Sequence, residues 1–171
     1  MKIAWKVLLT SSVGVAAVAF TAFGTRPPRL IWNASASVPI GLYRVQSDAR
    51  PELTDLVVVR PPEALAWLLA EGGYLPRNVP LLKRVAALPG QQVCRTGTAI
   101  TVDGVPFGDA LEFDRRGRAL PVWRGCTTLA HDQVFLMNTE RPDSLDGRYF
   151  GPLPRQSIVG QASPIWTEEE R

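Results

Sequence analysis

The chain has 171 residues, a formal net charge of +3 at pH 7 and 46% hydrophobic residues, with 14 glycines and 15 prolines. That suits one folded, turn-rich domain plus a short appendage; it excludes a disordered chain, and so mild a positive charge gives no broad nucleic-acid footprint. One histidine and two cysteines make no cluster at metal-ligand spacing, so no metal and no other cofactor is expected.

Residues 7–24 form an apolar run of roughly 18 residues, close to the lower limit for spanning a bilayer. Lys2 and Lys6 precede it, Arg26 and Arg29 follow it, and Trp5 and Trp32 sit where interfacial anchors belong. The expectation is an N-terminal transmembrane anchor over 1–25 and an exported body over 26–171. A cleaved secretory signal ending near Thr21-Ala22-Phe23-Gly24 is the alternative.

The body reads as mostly β, built from small antiparallel sheets with one short helix. Tyr43-Arg44-Val45 and Leu56-Val57-Val58-Val59 are β-branched strand segments. Pro61-Pro62 opens, and Gly72-Gly73 closes, a helix over 63–71. Residues 81–88 predict a largely buried strand ending at Pro89-Gly90. Shorter strands follow at 93–95 and 99–102, with Asp103-Gly104 as a two-residue hairpin turn before Val105. Residues 112–118 form a polar loop, whose Arg115, Arg116 and Arg118 read as a solvated cluster because no aromatic residues interleave them. Residues 134–137 and 157–162 complete the strands. In an exported body, Cys94 and Cys126 favour a disulfide that closes the segment containing the hairpin and the polar loop.

The lysines carry the chemical signal. Only Lys2, Lys6 and Lys83 occur, so Lys83 is the single lysine of the body. Arginine stays charged, whereas a lysine buried among Leu81, Leu82, Val85 and Leu88 loses its proton more readily because desolvation penalises the ammonium. Such an amine can take the proton of a serine that is otherwise a poor nucleophile. Ser35 and Ser37, in Asn33-Ala34-Ser35-Ala36-Ser37-Val38-Pro39, are the candidates. On spacing alone, a snorkelling lysine and an ordinary turn serine remain open. A Ser-His-Asp triad would need His131, which reads as a surface residue in a polar turn, and Asp143 and Asp146 read as ion-pair partners of the flanking Arg141 and Arg148.

Three blocks together resemble the bacterial type I signal peptidases, membrane-anchored Ser/Lys proteases. They are Ser35-Ala36-Ser37-Val38-Pro39, then Lys83-Arg84-Val85 through Leu88-Pro89-Gly90, then Asp143-Ser144-Leu145-Asp146-Gly147-Arg148-Tyr149-Phe150-Gly151. The resemblance implies Ser37 as nucleophile, Lys83 as general base, Ser35 in the oxyanion hole, Ser144 orienting the lysine, and Asp146 with Arg148 as a supporting pair. It also implies substrates bound as extended strands, with small side chains at the first and third positions before the cut.

Gly41-Leu42-Tyr43 after the serine, a compact body, and Asp114 to Pro121 followed by Trp123 resemble the conjugal-transfer TraF-type branch. That branch implies processing of a pilin precursor for type IV secretion, with cyclisation of the product in some members. The implied location is the bacterial inner membrane, single-pass, with the catalytic domain periplasmic. The implied partners are the pilin precursor, the lipid bilayer and other conjugative transfer proteins, and no nucleic acid. The alternatives are a general signal peptidase and, more remotely, a non-catalytic pilus assembly factor.

Overall fold

The computed structural model describes residues 2–22 and 29–168. Its strands are β1 (Leu30–Asn33), β2 (Gly41–Gln46), β3 (Leu56–Val59), β4 (Leu81–Ala87), β5 (Gln92–Thr96), β6 (Ala99–Val102), β7 (Val105–Asp109), β8 (Gly125–Thr128), β9 (Gln133–Leu136), β10 (Leu153–Pro154) and β11 (Ile158–Thr167). The helices are α1 (Lys2–Ala22), α2 (Glu63–Glu71) and the single turn α3 (Gly147–Phe150). A seven-stranded sheet has the order β1-β2-β11-β3-β4-β9-β10, and a four-stranded sheet the order β7-β6-β5-β8. Every pairing between strands is antiparallel.

The larger sheet is buried on both faces at its centre, which is why β3 reads as an unbroken Leu-Val-Val-Val run rather than an alternation. Val57, Val59 and Val85 point to one side, where Leu65 and Leu69 of α2 cover them. Val58 and Leu82 point to the other, against Val38, Tyr43 and Val45. The chain segment carrying the two candidate serines therefore packs on the face of β4 opposite α2. In the small sheet, Asp103 and Gly104 both have positive φ, the backbone of the expected tight hairpin turn. Cys94 and Cys126 lie directly opposite each other on β5 and β8 and are joined as a disulfide.

Several elements differ from the sequence expectation. The four-residue strands β1 and β8 carry no unbroken apolar or alternating run and form because longer neighbours pair with them. β11 begins after Ser157, which belongs to a 3₁₀ turn, and runs to Thr167 because β2 offers a partner beyond a bulge between Pro164 and Trp166. The helix α3 adds to the one short helix expected; Asp146 initiates it by accepting from the Arg148 backbone N–H.

The N-terminal segment is helical, but among the described residues no helix is long and apolar enough to cross a membrane. Lys2 and Lys6 and the run Thr10-Ser11-Ser12 dilute its apolar character. Every described side chain of α1, from Trp5 to Ala16, is exposed. The cleavage-site alternative falls partly on residues 23–28, outside the described residues.

The disulfide closes a loop across 32 residues of sequence separation. Replacing both Cys94 and Cys126 by serine is expected to lower unfolding stability by about 3–4 kcal/mol in the chain-entropy account. Denaturant titration of the variant against the oxidised parent measures it.

Candidate active site

The sheet edge at the start of β4 organises the site. From Leu81 to Arg84 the strand pairs with β3 on one side. On its other side β9 pairs only from Val85 onward, and Met137 N–H extends that ladder to Arg84 O at 2.9 Å. There the backbone ladder stops and the Asn138 side chain takes over. Its Oδ1 accepts from Arg84 N–H at 2.9 Å, and its Nδ2 donates to Leu82 O at 3.2 Å. The same Nδ2 donates to Ser37 O at 2.9 Å. One amide therefore ties the serine loop to the two residues that flank Lys83.

Lys83 itself is only 2% exposed. Its described hydrogen bond runs from Nζ to Ser144 Oγ at 2.7 Å, and none of the described ion pairs includes it. Burial pushes its pKa down from 10.5 to about 8, and the opposed charges of Asp146 (raising) and Arg148 (lowering) act after burial. Ser144 is buried as well.

Asn33, buried at the end of β1, shapes the serine loop. Its Nδ2 donates to the carbonyls of Ser35, Val38 and Pro39 at 2.8–3.0 Å. Its Oδ1 therefore faces Ser35, accepting from the backbone N–H at 3.1 Å and from Oγ at 2.9 Å. Since that oxygen can only accept, the Ser35 hydroxyl spends its proton on Asn33. The 3.0 Å contact between Ser35 Oγ and Ser37 Oγ is then donated by Ser37. Among the described residues no hydrogen bond joins Ser37 to Lys83. Tyr43 completes the loop by donating its hydroxyl to Pro39 O at 2.6 Å.

Asp146 and Arg148 form a buried ion pair, with Nη2 to Oδ2 at 2.8 Å and Nε to Oδ1 at 2.9 Å. Arg148 Nη2 also donates to the carbonyls of Asn138, Arg141 and Ser144, and Asp146 Oδ2 accepts from Asn138 N–H at 3.0 Å. This pair thus holds both ends of the turn that presents Asn138 and Ser144. Gly147 is needed beside it, because a Cβ would lie 2.6 Å from the Phe135 ring and 2.7 Å from Leu136 O.

The remaining sequence candidates lie elsewhere. His131 is exposed in a turn, apart from these hydrogen bonds. Asp143 pairs with Arg115, and Arg118 pairs with Asp114 at 2.7 Å while its guanidinium lies over Tyr74. Asn33 and Asn138 escaped the sequence reading. The one available signal for Asn138 is an amide placed directly after the apolar run 134–137.

The family model described as signal peptidase, peptidase S26, matches residues 2–167. The conjugal transfer protein TraF of Agrobacterium fabrum (strain C58) is 35% identical over 148 residues, covering 79% of this chain and 81% of that protein. The plasmid transfer protein TraF of Escherichia coli is 33% identical over 145 residues, with the same shares covered. A Synechocystis protein described as probable signal peptidase I-1 is 35% identical over 112 residues, covering 66% of this chain and 53% of that one. The chain belongs to the signal peptidase S26 family, in the branch of the TraF transfer proteins.

Proposed function

We propose that this chain is a membrane-anchored serine endopeptidase that uses a Ser37/Lys83 dyad to process a pilin precursor during conjugative transfer. The observation that carries the reading is the state of Lys83: a buried amine with a hydroxyl as its described partner and a pKa of about 8. A lysine kept for structure would be paired with a carboxylate or reach solvent.

In this mechanism the neutral Lys83 amine takes the Ser37 proton as Oγ attacks the scissile carbonyl. The Ser37 backbone N–H and the Ser35 hydroxyl meet the developing oxyanion. Lys83 then passes the proton to the leaving amine, which departs and leaves an acyl-enzyme on Ser37. Ser144 orients the amine throughout. Water attacking the acyl-enzyme gives a linear product; the pilin's own amino terminus attacking it gives a circle. Cyclisation therefore changes only the second nucleophile.

Residues 1–25 act as the anchor and 26–171 as the exported body, on the periplasmic side of the inner membrane. Supporting this placement, the described apolar side chains of α1, from Trp5 to Ala16, are exposed, and Trp32 and Trp166 stack at 5.9 Å while each stays more than half exposed. Leu30 on β1 and Ile165 on β11, close in sequence to these tryptophans, are exposed as well. Stacked tryptophans at a surface suit the bilayer interface, where one end of the ring is apolar and the other wet.

Ser37→Ala and Lys83→Met are each expected to abolish processing of the co-expressed pilin precursor, read by mass spectrometry. A product lighter by one water than the linear cleaved chain identifies cyclisation. Processing by either variant at the parental rate would sink the dyad.

The pH dependence follows from the lysine. Only its neutral form accepts a proton, so the processing rate should rise about tenfold per pH unit below about 8 and level off above it. Stability has a related slope. Between about 8 and 10.5 the unfolded chain holds the Lys83 proton while the folded chain has released it, so stability rises with pH across that window. Below it the buried lysine costs its full penalty. At pH 7, Lys83→Met should be more stable than the parent although inactive, by at most about 3 kcal/mol. Denaturant midpoints at pH 7 and pH 10 check both signs.

A further inference from the structure

We infer that Asn138 is the positioning residue of this reaction: its amide sets the place of the Ser37 backbone relative to the Lys83 strand. The inference rests on the Ser/Lys reading above and adds a residue to it.

Three features of the geometry support this. The amide orientation is determined, since Oδ1 faces a backbone donor, Arg84 N–H, and Nδ2 faces two acceptors, Leu82 O and Ser37 O. Its own backbone is fixed independently, with N–H on Asp146 Oδ2 and C=O on Arg148 Nη2. The residue is 3% exposed; its bond to Leu82 O is buried and those with Arg84 N–H and Ser37 O are part-buried, which limits competition from water. Among the described residues, it makes the hydrogen bond that joins the Ser37 loop to the β4 strand; Asn33 and Tyr43 bond within their own stretch of chain. Loss of the Nδ2 donor removes the hydrogen bond between loop and strand and leaves the packing of Val38 with Leu82, while Lys83 keeps its hydroxyl partner on Ser144. Such a change acts on the distance between nucleophile and base, and a displacement of about 1 Å costs on the order of 100-fold in rate.

The test uses full-length Asn138→Ala and Asn138→Asp with the pilin precursor in membrane vesicles, measuring the single-turnover processing rate against pH, with melting curves of each variant. Asp keeps the acceptor for Arg84 N–H and lacks the donor for Ser37 O. Both variants are expected to lose on the order of 10–100-fold in plateau rate at temperatures where they are fully folded. For Asn138→Ala the midpoint should stay near pH 8, because the lysine's surroundings are retained. Parental plateau rate in folded Asn138→Ala, or restoration by Asn138→Asp, overturns the inference, since the second result would assign the residue to holding the sheet edge. A midpoint moved toward 10.5 also overturns it, because it would mean that Lys83 has become solvated. Ser37→Ala and Lys83→Met run alongside: processing by these would refute the dyad, whereas dead controls beside a fully active Asn138→Ala would refute only the positioning role.

Discussion

The Asp146–Arg148 ion pair is the contact on which the site depends. Both residues are buried, at 0% and 1% exposure. Taking two charges out of water is costly, and attraction offsets that cost only when the remaining donors and acceptors are also satisfied. Here they are. The guanidinium spends its donors on the carboxylate and on the carbonyls of Asp109, Asn138, Arg141 and Ser144. The bonds to the Asn138, Arg141 and Ser144 carbonyls brace the polar turn between β9 and α3 into a frame, and the bond to Asp109 O ties it to β7. From that frame Ser144 reaches Lys83, and Asn138 reaches both β4 and the serine loop.

The pair also explains how a charged scaffold can stand near a lysine that, in the proposed dyad, must lose its proton. A lone carboxylate beside Lys83 would hold the ammonium, as an opposite charge favours the charged form. Asp146 does pull in that direction, but Arg148 pulls the other way, and burial outweighs both. The frame is internally neutral, so it can be strong without resetting the protonation of the amine it surrounds. Stability and chemistry are thereby separated: the ion pair bears the mechanical role, and Lys83 is left with a hydroxyl partner that tolerates either protonation state.

How much of this was legible in the sequence varied with the kind of signal. The β3 and β4 strands announced themselves through consecutive β-branched and apolar residues, and the Asp103-Gly104 turn through two positions that accept positive φ. β1 and β8 did not, because their short, mixed sequences carry no unbroken apolar run like that of β3 and they form by pairing with β2 and β5. Lys83 stood out by scarcity and apolar surroundings. Asn138 could not, since an asparagine acquires meaning only where a backbone ladder ends and leaves an N–H and a C=O to be matched. The same holds for Asn33, whose five bonds all lie within seven residues of chain and leave no periodic trace. Amide side chains that stand in for backbone are invisible to patterning by hydrophobicity.

The direction of the hydrogen bonds around Ser37 bears on the proposed mechanism. With Ser35 donating to Asn33, the Ser37 hydroxyl donates its proton to Ser35, and the described bond of Lys83 goes to Ser144. In this arrangement the Ser37 oxygen is held but not activated. For Lys83 to receive the proton, the Ser37 hydroxyl must turn, and for Ser35 to donate to an oxyanion, it must release Asn33. The second change becomes favourable only when negative charge develops where Ser35 can reach it. An oxyanion is a stronger acceptor than a neutral amide oxygen, so the exchange is driven by the transition state and not by the bound ground state. That is the condition for an interaction to raise the rate of the chemical step instead of merely tightening substrate binding.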